Sequence, residues 1–284
     1  MKADLHLHTT ASDGRLRPEE IVRKASQLEL DVIAITDHDT VEGIPPALES
    51  AKSFPQLLVI PGVEINTDVL QGEVHILGYF IDYHDPELDH SLKELRNSRY
   101  ERGRKMIAKL ADMGIEIDWE RVLELATGGT IGRPHIAQAM VEGGYSSSLQ
   151  EAFTKYIGRN GPAYVERKKL TPLDAVELIF NAGGLPFLAH PAEIKNLEAF
   201  VPQLKEAGMV GLEIYYANYS PSKIARLQAL AKKYDLIASG GSDYHGWDNT
   251  IGANIGSVDM PPELVRQFIS LAEQRRMGFH DARC

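Results

Sequence analysis

Cysteine is almost absent from this chain of 284 residues, and the only one, Cys284, is the final residue. We therefore expect neither an internal disulfide framework nor thiolate ligands to a metal in the core. Long apolar runs are also missing, and a transmembrane helix needs about 18 or more apolar residues in succession. The first residues resemble a strand rather than a charged and then apolar leader, so we expect a cytoplasmic protein that binds no membrane.

Positive charge is scarce as well: 30 Lys and Arg stand against 40 Asp and Glu, which gives a net charge of -10. Such an acidic chain is not expected to bind duplex nucleic acid, because the phosphate backbone demands a positive surface. Residues 99–169 are the exception, with 12 Lys and Arg against 9 Asp and Glu. This local excess is either an ordinary solvated helical surface or a positive lid over an anionic substrate.

What the chain does contain is an alternation of strand-like and helix-like segments. The predicted strands are Ala3–His8, Asp31–Thr36, Leu57–Ile65, Glu73–Phe80, Leu185–Ala189, Val210–Ile214 and Leu236–Ser239. Amphipathic stretches such as Pro18–Glu29 and Pro172–Ala182 lie between them and predict helices. Seven short strands separated by helices indicate an α/β protein with a parallel βα barrel that resembles a TIM barrel.

The middle of the chain departs from this rhythm, because residues 89–157 show helical periodicity without a strand signal. A helical block inside a βα series is typical of an insertion at a barrel loop. We therefore predict a barrel domain formed by residues 1–98 and 169–284, and a helical insertion domain formed by residues 99–168. Oligomeric state has no signature in the sequence.

The most informative residues are His6 and His8 in the first predicted strand. Side chains alternate between the faces of a strand, so both imidazoles lie on one face, while Leu5 and Leu7 lie on the other, toward a core. Two imidazoles side by side at the carboxyl end of a strand can bind one metal ion.

Further metal-type ligands follow the other predicted strands, where the mouth of a parallel barrel gathers its active-site residues. With the first pair, the candidate ligands are His6, His8, Asp13, His38, Glu64, His75, His190, Asp243 and His245. Imidazole and carboxylate without sulfur favour Mn²⁺, Zn²⁺ or Fe²⁺ over the all-oxygen sites of Mg²⁺. So many ligands exceed one coordination sphere and predict two or three ions. Asp39, beside His38, is predicted to cap the following helix.

Five short motifs carry most of these ligands: DLHLHT at residues 4–9 with Asp13, ITDHD at 35–39, PGVEI at 61–65, AHP at 189–191 and GSDYH at 241–245. Together they resemble the PHP (polymerase and histidinol phosphatase) domain family. The resemblance covers essentially the whole chain and implies a distorted (β/α)7 barrel with two or three metals. It implies one ion at His6, His8, Glu64 and Asp243, and another at Asp13, His38 and His245. Glu64, His75 and His190 would hold a third ion or contact substrate.

Within that family the chain is most similar to small stand-alone phosphoesterases, which include 3′,5′-nucleoside bisphosphate phosphatases and 5′-3′ exoribonucleases. The similarity lies in the insertion, in GRPHIA at residues 132–137, KYIG at 155–158 and PAYV at 162–165. It implies hydrolysis of a terminal phosphate of a small nucleotide, or of short 5′-phosphorylated RNA. The expected mechanism is in-line attack on phosphorus by a hydroxide between two ions.

Two groups of residues are predicted to assist the metals. His38, His190 and Asp243 are the catalytic candidates, although metal ligation would remove the ability of either histidine to transfer a proton. Arg133, with His135 and Lys168 or Lys169, is predicted to bind a second phosphate, because guanidinium binds phosphate in a bidentate manner. Residues 215–219 (YYANY) either line the pocket, where a tyrosine could stack on a base, or belong to ordinary packing.

Three alternatives stay open at this level. The same chemistry could serve another phosphomonoester such as histidinol phosphate. The chain could also be a non-catalytic PHP module with a structural or regulatory role, although such modules usually lack part of the ligand set. A metal-dependent amidohydrolase would share the HxH strand but generally not the late SDxH motif.

Overall fold

Seven strands of the chain form one sheet, and their order in space is their order in the sequence. The computed structural model describes residues 1–69, 72–247 and 254–281; Cys284 lies outside them. The strands are β1 (Ala3–Leu7), β2 (Val32–Ile35), β3 (Leu58–Val69), β4 (Gly72–Tyr79), β5 (Leu185–Leu188), β6 (Gly211–Tyr216) and β7 (Ile237–Gly241). A parallel bridge from Leu7 to Tyr244, just beyond β7, brings the two edges together into a nearly closed barrel. The predicted distorted seven-stranded α/β barrel is confirmed.

The expectation of an entirely parallel barrel is wrong at β4, which pairs antiparallel with both β3 and β5. The reason is the length of the connection. β3 ends at Val69 and β4 begins at Gly72, whereas a parallel crossover needs a dozen or more residues. The remaining adjacent pairs, β1–β2, β2–β3, β5–β6 and β6–β7, are parallel.

Helices cover the strands and form the middle of the chain. They are α1 (Pro18–Gln27), α2 (Ile44–Ala51), α3 (Pro86–Asp112), α4 (Trp119–Leu125), α5 (Arg133–Glu142), α6 (Leu149–Ala152), α7 (Pro172–Asn181), α8 (Leu197–Glu206), α9 (Pro221–Lys233) and α10 (Pro262–Asp281). A π-helical turn (Phe153–Ile157) continues α6, and a 3₁₀ turn (Pro191–Glu193) follows β5. Local signals set several starts: Asp85 caps α3 through the backbone N–H groups of Glu87 and Leu88.

The interior contains two separate hydrophobic cores. The first fills and surrounds the barrel and includes Leu5 and Leu7, both fully buried as predicted. The second lies among the helices of residues 99–168, around Met106 and Met140. Helix α3 contributes to both cores, so the predicted boundary between residues 98 and 99 falls inside one continuous helix.

One close approach positions the first metal-type ligand. A Cβ atom added to Gly241 on β7 would lie 2.4 Å from the Cβ of His6. Only glycine therefore allows β7 to pass this close to β1 and complete the barrel beside His6. Within the described ranges, no helix combines the length with the sustained apolar character that crossing a bilayer requires.

Candidate active site

The structure brings all of the predicted metal ligands together at one mouth of the barrel. His6 belongs to β1 and Glu64 to β3, and most of the others lie in the loops that follow β1, β2, β5 and β7. His75 reaches the same point from β4. It lies near the beginning of that strand, and the beginning of an antiparallel strand faces the mouth at which its parallel neighbours end.

The ligand atoms form three groups, and within each group they lie within 4.8 Å of one another. The groups are His6, His8, Glu64 and Asp243; His8, Asp13, His38 and His245; and His38, Glu64 and His75. The first group is the one implied by the family resemblance. The second adds His8 to the expected set, and the third contains His38 where His190 was expected. His190 contacts this third group through its Nε2 atom, 3.1 Å from Glu64 Oε1.

Many ligand atoms at these groups lack a hydrogen bond, although they are buried. Within the described part of the chain they are His6 Nε2, both ring nitrogens of His8, Asp13 Oδ1, His38 Nδ1, Glu64 Oε2 and Asp243 Oδ1. Buried polar atoms nearly always have a partner, so this concentration of unpartnered nitrogen and oxygen atoms needs an explanation. Divalent cations that accept nitrogen and oxygen ligands fit the site, because they would satisfy these atoms together.

Glu64 is the centre of the arrangement. Its Oε2 atom lies 3.2 Å from Nε2 of His6, 3.2 Å from Nε2 of His8 and 2.9 Å from Nδ1 of His38. Its Oε1 atom lies 2.8 Å from Nδ1 of His75 and 3.1 Å from Nε2 of His190. Each oxygen therefore faces different histidines, an arrangement in which Glu64 would be able to hold two ions.

The electrostatics of the site keep its carboxylates ionised. Burial would raise the pKa of Glu64 and of Asp13, but the histidines around them hold both pKa values well below the usual range. Burial also lowers the pKa of His38 to about 4, which favours the neutral imidazole that binds metals. At His245, Asp13 and Asp243 overcome the effect of burial and raise the pKa to about 10.

Three of the eight described non-glycine residues with positive φ lie at this mouth. His190, Asp39 and Asp243 have φ angles of 28°, 53° and 54°. Residues other than glycine adopt such conformations at a cost of about 1–3 kcal/mol, and they cluster at functional sites where the surroundings enforce them. His190 and Asp243 are thus held in a sparsely populated conformation just beyond the ends of β5 and β7.

Two side chains outside the predicted ligand set, the buried Glu213 and the half-buried Tyr216, hold predicted ligands in place. Glu213 on β6 lies with Oε1 2.9 Å from Nδ1 of His6, and its Oε2 accepts a hydrogen bond of 2.7 Å from the backbone N–H of His190. Tyr216 donates a hydrogen bond of 2.8 Å to Oδ2 of Asp243. The sequence did contain a signal for Glu213. It is the only charged residue in the buried strand β6, and a buried carboxylate needs hydrogen-bond partners.

The loop that carries Asp13 is tied to the end of β2 by Asp37. Its carboxylate accepts hydrogen bonds from the backbone N–H and hydroxyl of Thr9, at 2.7 and 2.8 Å, and from the hydroxyl of Ser12, at 2.6 Å. Asp37 therefore supports the ligand loop, whereas its neighbour His38 takes part in two ligand groups.

Beside the predicted metal ligands lies a set of cations that we call the arginine cluster: Arg99, Arg102, Arg133, Arg167 and Lys169. Its four arginines and six of the metal-type ligands line a single cavity of about 260 Å³. Two carboxylates, the buried Asp39 and the half-buried Glu73, form ion pairs with the cluster. Asp39 pairs with Arg99 at 2.7 Å and Arg167 at 2.8 Å, and Glu73 pairs with Arg133 at 2.8 Å and Lys169 at 2.6 Å.

The expectation that Asp39 caps the following helix is therefore wrong. Helix α2 begins at Ile44 with Gly43 before it, and the Asp39 side chain points instead toward the insertion. Arg99 and Arg167 hold the pKa of Asp39 at about 2 against the opposing effect of burial. Asp39 thus connects the barrel mouth to both ends of the insertion.

The three residues predicted to bind a second phosphate have different surroundings. Arg133 lines the shared cavity. His135 is buried, and its Nδ1 accepts a hydrogen bond of 3.0 Å from the backbone N–H of Gly132, so the ring helps to hold the start of α5. Lys168 has a side chain that is 74% exposed and pairs with Glu94, so it lies on the outer surface. Its neighbour Lys169 has a buried side chain and pairs with Glu73 instead.

A second cavity of about 310 Å³ adjoins the first and shares Glu73, His75, His190 and Tyr216 with it. Tyr216 and Tyr219 line it with ring centroids 5.0 Å apart, whereas Tyr215 packs in the barrel core. The aromatic stretch of residues 215–219 therefore contributes both to the lining of a pocket and to ordinary core packing, the two roles that the sequence left open.

Comparison with known proteins places these features in a family. The model of the PHP domain matches residues 4–166. The chain is 38% identical over 247 residues to the 5′-3′ exoribonuclease Rnm of Salmonella typhimurium, covering 85% of this chain and 84% of that protein. It is 32% identical to the 3′,5′-nucleoside bisphosphate phosphatase of Chromobacterium violaceum, covering 91% and 92% of the two chains.

A solved structure from Bifidobacterium adolescentis, described as a metal-dependent phosphoesterase, superposes with a TM-score of 0.85 at 28% identity, over 93% of this chain and 94% of that one. These relatives agree with the predicted class of enzyme, a phosphoesterase. The match over more than half of the chain and the identity to full-length relatives lead to one conclusion: the chain belongs to the PHP domain family.

Proposed function

We propose that this protein is a metal-dependent phosphoesterase that removes the 3′-phosphate of a nucleoside 3′,5′-bisphosphate to leave the 5′-nucleotide. Short 5′-phosphorylated RNA is proposed as a further substrate. The observation that carries the proposal is the single cavity of about 260 Å³ that is lined by both metal-type ligands and arginines. A substrate with two phosphates satisfies both sides, whereas a duplex would not enter a cavity of this size.

The metal-type ligands are proposed to hold two or three divalent ions, with Mn²⁺, Zn²⁺ or Fe²⁺ preferred over Mg²⁺. Their donors are imidazole nitrogens and carboxylate oxygens, which suit these ions. Such ions, when bound, supply Lewis-acid activation of a phosphate ester and of water. The ligand set is complete in the structure, which favours a catalytic protein over a regulatory module that has lost its site.

The catalytic candidates have distinct surroundings. His190 is the most accessible, with a side chain 27% exposed, and it lines both the central cavity and the tyrosine-lined one. His190 belongs to none of the three ligand groups, so it is the one metal-type residue that we leave free of metal, and we assign to it the transfer of a proton to the leaving oxygen. His38 and Asp243 belong to ligand groups, and Asp243 Oδ1 lies 3.2 Å from His6 and 3.1 Å from His8. We therefore assign to His38 and Asp243 the orientation of the metal ions and the balance of their charge.

The tyrosine-lined cavity is proposed to receive the nucleoside. Tyr216 and Tyr219 offer aromatic faces on which a base can stack, and the cavity of about 310 Å³ lies beside His190. The arginine cluster would hold the second phosphate at the same time. Histidinol phosphate has only one phosphate and would leave this cluster without an anion.

Turnover of a small panel of substrates tests the proposal. Protein loaded separately with Mn²⁺, Zn²⁺ or Fe²⁺ should hydrolyse adenosine 3′,5′-bisphosphate and a short 5′-phosphorylated RNA at least about tenfold faster, in kcat/KM, than histidinol phosphate. Release of inorganic phosphate and of nucleotides measures the rates. Equal or higher kcat/KM for histidinol phosphate would contradict the proposed substrate. Absence of turnover with every metal would contradict the proposal that the protein is a phosphoesterase.

Replacement of Glu213 should weaken metal binding without removing a ligand. The carboxylate accepts from both the His6 ring and the His190 backbone, whereas the amide of Glu213→Gln has a single acceptor oxygen. Groups that orient metal ligands typically contribute about 10- to 100-fold in metal affinity. Competition with a fluorescent chelator should therefore show a loss of that order. Glu206→Gln, an exposed change at the end of α8, should bind metal as the parent does.

A further inference from the structure

The arginine cluster is not neutralised by the carboxylates around it. Arg99 and Arg167 share Asp39, and Arg133 and Lys169 share Glu73. The fifth cation, Arg102, has neither a hydrogen bond nor an ion pair from its side chain to any residue that the structure describes. Five cations thus share two paired carboxylates, so the cluster together with these partners has an excess of three positive charges.

Arg102 is not an ordinary solvated arginine. It is 5% exposed and lies on the face of α3 that carries Arg99 one turn earlier. Burial, then the neighbouring Arg99, Arg167 and Arg133, lower the pKa of Arg102 to about 9, so the guanidinium still carries its charge at neutral pH. A buried cation surrounded by other cations is unfavourable unless an anion joins them.

The position of Arg102 shows where such an anion can bind. Arg102 lines the central cavity together with Arg133, Arg167 and six of the metal-type ligands. Arg102 and Arg167 also border an outer cleft of about 450 Å³ along α3, whose other charged residues are Lys105, Lys168, Glu94, Glu101 and Glu166. A substrate bound at the metal-type ligands therefore reaches Arg102 through the central cavity.

We propose that Arg102 is the anchor for the second phosphate of the substrate, and that its unpaired guanidinium selects substrates carrying a second dianionic phosphate. The inference rests on the proposed function. A phosphate dianion offsets most of the excess charge, and a guanidinium can bind it through two parallel hydrogen bonds. Arg133 and Arg167, already paired with carboxylates, complete the surroundings of the phosphate but do not supply the unbalanced charge.

Thermal unfolding of metal-free protein tests the anchor without turnover. Inorganic phosphate should raise the Tm of the parent protein and of Arg104→Met, a solvent-facing change on the same helix, and should leave the Tm of Arg102→Met unchanged. Arg102→Lys keeps the positive charge but loses the two parallel hydrogen bonds of a guanidinium, so it should retain part of the phosphate-induced rise in Tm. In phosphate-free buffer Arg102→Met should melt no lower than the parent, because an uncompensated charge has been removed. A large decrease there, or a full phosphate shift in Arg102→Met, would overturn the proposal.

Kinetics with metal present distinguish the anchor from the proposed function. Arg102→Met should lower kcat/KM for adenosine 3′,5′-bisphosphate about 100-fold, mainly through KM, while kcat/KM for p-nitrophenyl phosphate changes less than about twofold. Equal losses on both substrates, or no loss on either, would overturn the role of Arg102. A parent protein that hydrolyses neither substrate with any metal would instead refute the proposed function.

Discussion

Glu64→Gln is expected to remove both the activity and most of the bound metal. The carboxylate lies within 3.2 Å of five imidazoles and belongs to two of the three ligand groups. Breaking a buried charged contact of this kind costs about 3–5 kcal/mol. If that cost falls on the active, metal-bound form, kcat/KM should fall by about 10²- to 10⁴-fold. Metal content after dialysis and kcat/KM for adenosine 3′,5′-bisphosphate measure the two effects.

The matched control is Glu49→Gln on α2, where the side chain is 73% exposed and pairs with Lys52. Both changes remove one carboxylate and leave an amide of the same shape. The control should retain metal and activity, so a loss specific to Glu64→Gln is a property of the site and not of net charge. Retention of the full metal content and kcat/KM by Glu64→Gln would show that Glu64 is not a bridging ligand.

The metal-type ligands could be found from the sequence because their placement follows from local rules. His6 and His8 share a face through the alternation of a strand, and the ends of parallel strands meet at one mouth whatever the details of packing. Even His75, on the strand whose direction was not foreseen, reaches the mouth. Its antiparallel strand begins where the parallel ones end, so the error in direction did not displace it.

The arginine cluster could not be found in the same way, because its contacts join distant parts of the chain. The ion pairs of Asp39 reach residues 60 and 128 positions away, and they depend on how the insertion packs against the barrel. The sequence offered only the local excess of positive charge in residues 99–169 and the spacing of Arg99 and Arg102. Neither signal identifies which cations face inward, and Lys168 and Lys169 show that adjacent residues can face opposite ways.

Asp39→Asn is expected to destabilise the fold by about 3–5 kcal/mol, because the change leaves two buried arginines without their anion. Asp39 is fully buried, and its Oδ2 atom pairs with both Arg99 and Arg167. It also accepts a hydrogen bond from the backbone N–H of Asn66 through Oδ1. An asparagine can replace only part of these contacts, since one of its two polar atoms is a donor.

Urea unfolding of metal-free protein at neutral pH measures this loss as a difference in the free energy of unfolding. Asp112→Asn, an exposed change of the same chemistry at the end of α3, should differ from the parent by less than about 0.5 kcal/mol. Inorganic phosphate should stabilise Asp39→Asn more than it stabilises the parent, because the variant adds one positive charge to the excess already present in the arginine cluster. An Asp39→Asn protein that unfolds with the free energy of the parent would show that Asp39 does not hold the insertion against the barrel.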